Sequence, residues 1–464
     1  QLKNRLARLE LDQSQAISLE FKEQAVKKFV EGLPFKLTTA QRKAAWEILK
    51  DLQKGHPMNR LLEGDVGSGK TVVTAIALYN TAKNGAQSAL LAPTEILARQ
   101  HYQTLTRLLS GTGVKISLVM RSEKTGNYES GELNHDADFL VQNSDIVVGT
   151  HALIQDKVKF KNLALAVVDE QHRFGVEQRR KLQKKSGDLV TLPHFLSLSA
   201  TPIPRSLALT LYGDLDLSIL DEMPPGRKKI ITKVVAPAER ANTYEFIRAE
   251  IKAGRQVFVI CPLIDPSDQL GIRSVKEEHA KLDKEIFPEL SVGLLHGRLK
   301  AADKEKIMAD FLSGEIKILV ATSVIEVGVD APNATVMMIE GAERFGLAQL
   351  HQFRGRVGRA EHQSHCFLFT ENESAETLER LSALVAYSDG FRLAERDLQF
   401  RGPGEVFGTA QSGLPDLHFA NLFDFALVKA AREWAGRIIQ IDPKLAKYPL
   451  LKAKIGQVEK AHLE

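Results

Sequence analysis

The stretch Asn59–Thr71, NRLLEGDVGSGKT, decides the fold. A short apolar run enters a glycine-rich turn, and the turn enters the apolar-periodic segment VVTAIALY. This order predicts a buried strand, a tight loop and a helix. Gly64, Gly67 and Gly69 let backbone N–H groups turn toward phosphate oxygens. Lys70 is placed to reach the β- and γ-phosphates, and the Thr71 hydroxyl to bind Mg²⁺. The helix that follows points its N-terminus at the same anion. About a hundred residues on, LALAVV ends in Asp169 and Glu170. An isolated acidic pair also suits a solvated helix start. Downstream of a phosphate cradle, at the end of a buried strand, Asp169 is expected to hold Mg²⁺ through water. Glu170 is expected to orient and deprotonate an attacking water. A nucleoside triphosphate with Mg²⁺ is the cofactor these residues imply.

Outward from this stretch, residues 35–225 alternate short apolar runs with longer periodic ones. The runs NRLLEGD, SALLAPT, DIVVGTH, LALAVVDEQ and FLSLSATP read as buried parallel strands with ligands at their C-terminal ends. DEMPPGRKK, 221–229, reads as a linker. A second set, QVFVICPL, SVGLLHG, KILVATS, TVMMIEG and SHCFLFT, predicts a second α/β domain without its own cradle. Residues 1–31 read as helical. Beyond 375, Leu378, Leu381, Leu384 and Val385 share a helical spacing, Asp389-Gly390 turns the chain, and Phe391, Ala394 and Leu398 begin a second helix. A glycine-rich loop and a basic helical tail follow. The expected domains are a lead-in at 1–34, an ATP-binding domain at 35–225, a second domain at 226–375 and a helical hairpin module at 376–464.

In QFRGRVGR, 352–359, Arg354, Arg356 and Arg359 form a basic cluster. Arg356 and Arg359, read at i and i+3 on a helix start, are expected to stabilise charge on the transferring phosphoryl group; a nucleic-acid patch is the other reading. Gly328 and Asp330 end a strand facing the nucleotide, with Asp330 on ribose or as a simple cap. Thr94, Thr150 and Thr322 offer hydroxyls to a phosphate backbone or lie idle on the surface. His172 is read as linking hydrolysis to the nucleic-acid segments rather than as a metal ligand, because no Cys/His cluster accompanies it.

The ordered segments LPFKLTTAQ, APTEILARQ (92–100), VGTHALI (148–154), SATP (199–202), HGRL (296–299), ATSVIEVGVD (321–330) and QFRGRVGR resemble those of superfamily two helicases. The resemblance covers 35–360. It implies two RecA-like parallel-sheet motor domains in tandem, with Phe35 and Gln41 reading adenine. DEQHRFGVEQR, LSATPIPRSLALTLYGDLDLSILDEMPPGR and the tail further resemble the RecG family of bacterial branch-migrating DNA translocases. That resemblance implies double-stranded and branched DNA as partner, with fork reversal and Holliday junction migration as the work. It also implies coupling by the hairpin and the loop RDLQFRGPGEVFGTAQSG through Arg396, Arg401 and Gln411. The transcription–repair coupling translocase, an RNA helicase and a non-hydrolysing scaffold are the rivals. Family members carry an oligonucleotide-binding wedge that nothing before residue 35 could form. With Gln at position 1, this suggests a motor from a longer chain.

The 464 residues are 44% hydrophobic, with net charge +4. That mild excess permits nucleic-acid binding without demanding it. No apolar stretch is long enough to span a membrane, and the charged N-terminus has no signal core. The two cysteines, Cys261 and Cys366, sit in apolar runs and read as buried thiols. A bacterial cytoplasmic, nucleoid-associated monomer is the expectation. Few aromatics interleave with arginine, which points to backbone tracking over base stacking.

Overall fold

The computed structural model describes residues 6, 13–120, 124–126, 137–155, 158–170, 191–200, 215–226, 228–262, 269–322, 331–358, 362–405, 425–443 and 445–460. The chain is α/β and contains two sheets. The first comprises β1 (Asn59–Gly64), β2 (Gln87–Leu91), β3 (Ile116–Val119), β4 (Lys124–Gly126), β5 (Ile146–Gly149), β6 (Leu163–Val168), β7 (His194–Ser199) and β8 (Asp216–Leu220), in the order β4-β3-β5-β2-β6-β7-β1-β8. All its pairings are parallel except β3 with β4. The second comprises β9 (Ile231–Val235), β10 (Gln256–Ile260), β11 (Val292–Leu295), β12 (Ile318–Ala321), β13 (Ala334–Ile339) and β14 (His365–Phe369), parallel throughout, in the order β11-β12-β10-β13-β14-β9. Each sheet is covered by apolar clusters on both faces, which is why its central strands read as continuous apolar runs. The two cysteines are buried and free, and burial pushes the Cys366 thiol up to about 12.

Every expected strand is present, and four more join them. β4, β8 and β9 lie at sheet edges, where exposed positions interrupt the apolar pattern of β8 and β9, and β3 is buried but only four residues long. β9, ITKVV, alternates exposed and covered residues until Val235.

The lead-in departs from the expected helical reading at residues 16–22. Among its described residues α1 (Glu23–Glu31) is the sustained helix, and residues 16–22 run without regular structure along the first sheet's domain. Ala16 N–H donates to Gly55 O and Leu19 N–H to Leu52 O, so these backbone groups find partners in the domain instead of in their own helix. Leu19, Val26 and Phe29 enter the first core beside α2 (Thr39–Leu52) and α3 (Lys70–Lys83).

His194 ties this lead-in to the sheet. Met58 N–H donates to its Nδ1 at 3.0 Å, so the ring proton sits on Nε2, which donates to Ile17 O at 2.8 Å. Burial pushes the ring's pKa from 6.5 down to about 4. An unfolded chain therefore takes up this proton near pH 6.5, whereas the folded chain resists until about pH 4. Stability from this ring is complete above 6.5 and is lost as pH falls through that window, by about 3 kcal/mol in all. Urea unfolding at pH 7 and pH 4.5 checks this: the difference between the two should shrink in His194→Gln, and an unchanged difference would contradict it.

The motor domains also contain α4 (Glu95–Leu108), α5 (Ala301–Ser313) and α6 (Leu347–Arg354), and the C-terminal module follows them. The hairpin is α7 (Ala375–Ala386) and α8 (Gly390–Glu405), and the tail forms α9 (Phe425–Ile441) and α10 (Pro449–Lys460). The hairpin helices match the sequence reading, but the expected loop starts later. α8 runs on through Arg401, with Gly402, Pro403 and Gly404 in its last turn, where poor helix formers cost least. Among the described residues no helix is long and apolar enough to cross a membrane.

Candidate nucleotide site and its link to the second domain

The cradle sits at the C-terminal end of β1, between β7 and β8, with β6 one strand further. Gly67 and Gly69 have φ of +84° and +90°, a region open to glycine and strained for other residues. A Cβ on Gly69 would stand 2.2 Å from Gln41 Nε2. α3 starts at Lys70 and turns its free N–H groups toward the loop. Lys70 Nζ donates to Gly64 O at 2.6 Å and Asp65 O at 3.0 Å. Burial pushes its pKa down, while Glu170, Asp169 and Asp65 hold the ammonium charged. A half-buried cation facing carboxylates, beside glycine turns with no side chain to fill them, fits a phosphate chain with a divalent cation.

Asp169 and Glu170 leave β6 beside this ammonium. Burial works to raise the Asp169 pKa, yet the His101 hydrogen bond and Lys70 outweigh it and keep the carboxyl below its ordinary range. His101 Nε2 lies 2.8 Å from Asp169 Oδ2. Glu170 has φ +51°, a left-handed backbone for a non-glycine residue, and its N–H donates to Asp169 Oδ1 at 3.0 Å. The strained turn aims the glutamate into the cleft. His101, on α4, went unread in the sequence. Only its place one residue past the segment APTEILARQ marks it.

The second sheet's domain closes the cleft. Val66, Gly67, Lys70, Thr71, His101, Asp169 and Glu170 line one side of a space of about 1270 Å³; Glu305, Met308 and Leu312 of α5, with Arg356 and Gly358, line the other. Arg356 is near enough to Lys70 to weigh against its charge. Arg356 does not begin a helix as expected. α6 ends at Arg354, Gly355 caps it, and Gly358 at φ +76° turns the chain away, so Arg356 lies in the turn after the helix. A Cβ on Gly355 would stand 3.0 Å from Val66 Cβ, which shows how closely this turn meets the cradle.

The remaining expected site residues lie in separate parts of the structure. Gln41 is buried and serves the capping box of α2 with Thr38, and its Nε2 donates to Ser68 O at 2.8 Å; Phe35 is half exposed nearby. Thr94 and Thr150 follow β2 and β5 at the same sheet end, where Thr94 Oγ1 accepts Leu97 N–H as the cap of α4. Thr322, after β12, is buried. Arg396 donates to Gln399 Oε1 and stacks over Tyr387 within the hairpin. His172, Gly328, Asp330, Arg359 and Gln411 lie outside the described residues, as does the side chain of Arg401. Among the described residues no cluster of His, Cys, Asp or Glu could hold a metal on its own.

Three family models match in order: DEAD/DEAH box helicase at 38–210, helicase conserved C-terminal domain at 240–361, and ATP-dependent DNA helicase RecG, domain 3, C-terminal, at 387–464. Relatives described as ATP-dependent DNA helicase RecG include those of Synechocystis (51% identical over 93% of this chain and 51% of the relative), Aquifex aeolicus (46%, over 96% and 56%) and Bacillus subtilis (44%, over 96% and 65%). The chain belongs to the RecG family. A solved structure of RecG bound to a three-way DNA junction matches with TM-score 0.77 at 40% identity, over 94% of this chain and 55% of that one. The helicase MrfA bound to DNA shares the fold at TM-score 0.59 and 18% identity. This RecG-family chain spans between 51% and 65% of the length of those three relatives. The RecG-specific model falls on α8 and the tail, which the general helicase models leave unmatched.

Proposed function

We propose that this chain is an ATP-driven motor that moves on double-stranded DNA and remodels branched DNA. The observation that carries it is the cleft in which Lys70, Thr71, Asp169 and Glu170 of one domain face Arg356 of the other. Lys70 and the loop amides would hold the phosphates, Thr71 and Asp169 the Mg²⁺, and Phe35 with Gln41 the base. The bound Mg²⁺ would supply charge neutralisation for phosphoryl transfer. Glu170 orients a water and takes its proton, and Arg356 places a guanidinium where negative charge develops. Arg359, Gly328 and Asp330 join this site in the family resemblance.

Because the reactive groups come from two domains, turnover opens and closes the cleft. Thr94, Thr150, Thr322 and His172 would pass that motion to the DNA backbone, and Arg396, Arg401 and Gln411 to the duplex ahead. Segments 35–225 and 226–375 form the motor, 376–464 the coupling module, and 1–34 the lead-in that braces the first domain. The solved relative bound to a three-way junction supports branched DNA as the substrate, and bacterial relatives support a nucleoid-associated site of action. The test is phosphate release with no nucleic acid, linear duplex, three-way junction or single-stranded RNA. Stimulation by duplex and junction DNA above RNA is expected; equal rates in all four would overturn the proposal.

A further inference from the structure

Asp65, the second residue of the glycine loop, holds three parts of the molecule at once. Its backbone carbonyl accepts from Lys70 Nζ at 3.0 Å. Its carboxylate accepts from His351 Nε2 of α6 at 2.9 Å and from Gly390 N–H, the first residue of α8, at 3.2 Å. His351 is in turn fixed by Arg354, whose Nη2 lies 2.7 Å from His351 Nδ1. A guanidinium only donates, so Nδ1 carries a lone pair and the ring proton sits on Nε2, aimed at Asp65. Arg354 Nη1 also donates to Leu384 O at 2.6 Å and Tyr387 O at 2.9 Å, and Nη2 to Ser388 O at 3.2 Å, so the same side chain clasps the end of α7 and the turn between the hairpin helices. All three side chains are buried. Burial works to raise the Asp65 pKa, and the His351 and Gly390 hydrogen bonds outweigh it, so the carboxylate stays ionised.

We propose that Asp65, His351 and Arg354 form a positioning relay that ties the state of the phosphate loop to the register of the hairpin. The inference rests on the motor reading above. Lys70 releases the Asp65 carbonyl when it takes phosphate oxygens, and the residue that loses this bond is the one whose carboxylate grips both α6 and α8. A shift of the loop is thereby transmitted to the hairpin through rigid hydrogen bonds rather than through solvent. Arg354 stabilises no phosphate here; it acts through the hairpin.

The test uses the full chain and three variants. In His351→Leu the ring's donor and acceptor are both lost. In His351→Gln the amide N–H₂ can donate to Asp65 and the amide oxygen can accept from Arg354. Gly390→Pro removes the second donor to Asp65 at the first position of α8, where proline suits the helix and Asp389 already caps Phe391 N–H. His351→Leu and Gly390→Pro are expected to keep the KM for ATP and the DNA-free turnover within about twofold, while stimulation by linear duplex falls about tenfold. His351→Gln is expected to restore most of the stimulation. The relay is overturned if both variants are stimulated like the parent, or if DNA-free turnover falls in step with the stimulated rate. A parent chain that duplex does not stimulate would instead sink the motor reading.

Discussion

Lys70→Ala is expected to lower ATP turnover by at least about 10²- to 10³-fold, since an electrostatic group aimed at developing charge is typically worth that much. The ammonium is half-buried, donates to Gly64 O and Asp65 O, and is kept charged by Glu170, Asp169 and Asp65. Its removal takes the only side-chain cation that the glycine loop itself carries. Asp169 loses one of the influences that keep its pKa low, while His101 remains on its other side. The carboxylate therefore stays ionised near neutral pH, and the defect falls on phosphate handling. Lys70→Arg is also expected to fail, because a planar fork cannot occupy a pocket built around a compact ammonium. Steady-state phosphate release with duplex DNA checks both variants, with circular dichroism showing that the fold remains. Turnover near the parent rate would remove Lys70 from the site.

Arg356→Ala is expected to cost about 10³-fold in turnover with little change in ATP affinity, in the range of guanidinium groups that act on transferring phosphoryl charge. The geometry behind this is the close approach of Gly355 to Val66, which brings the adjoining Arg356 to the edge of the cradle from the opposite domain. A group that acts in the transition state lowers kcat and kcat/KM together, whereas one that merely holds the substrate raises KM. Single-turnover hydrolysis at saturating ATP separates these outcomes. A pure KM effect would make Arg356 a binding residue and leave the cleft without a charge stabiliser from the second domain among its described residues.

The two domains were legible because each signal is local. Ile318–Ala321 and Leu163–Val168 are buried on both faces and show as apolar runs; Gly67, Gly69, Lys70 and Thr71 are neighbours in the chain. Edge strands such as Ile231–Val235 were missed because one side of each meets solvent and breaks the run. The helical reading of 1–31 failed at residues 16–22 for the opposite reason: their backbone finds partners in Gly55, Leu52 and Asn84 of the first domain. The helix-start reading of Arg356 failed on Gly355 and Gly358, whose conformations depend on what packs against them.

The amino-acid order alone determined the two-sheet architecture, the phosphate cradle and the acidic pair, because periodicity and adjacent residue types encode them directly. Folding decided which distant groups complete the site. His101 reaches Asp169 across 68 residues and His351 reaches Asp65 across 286. A hydrogen bond requires two atoms within about 3 Å, and the chain's own spacing says nothing about that distance until sheets, helices and the second domain have closed around the loop.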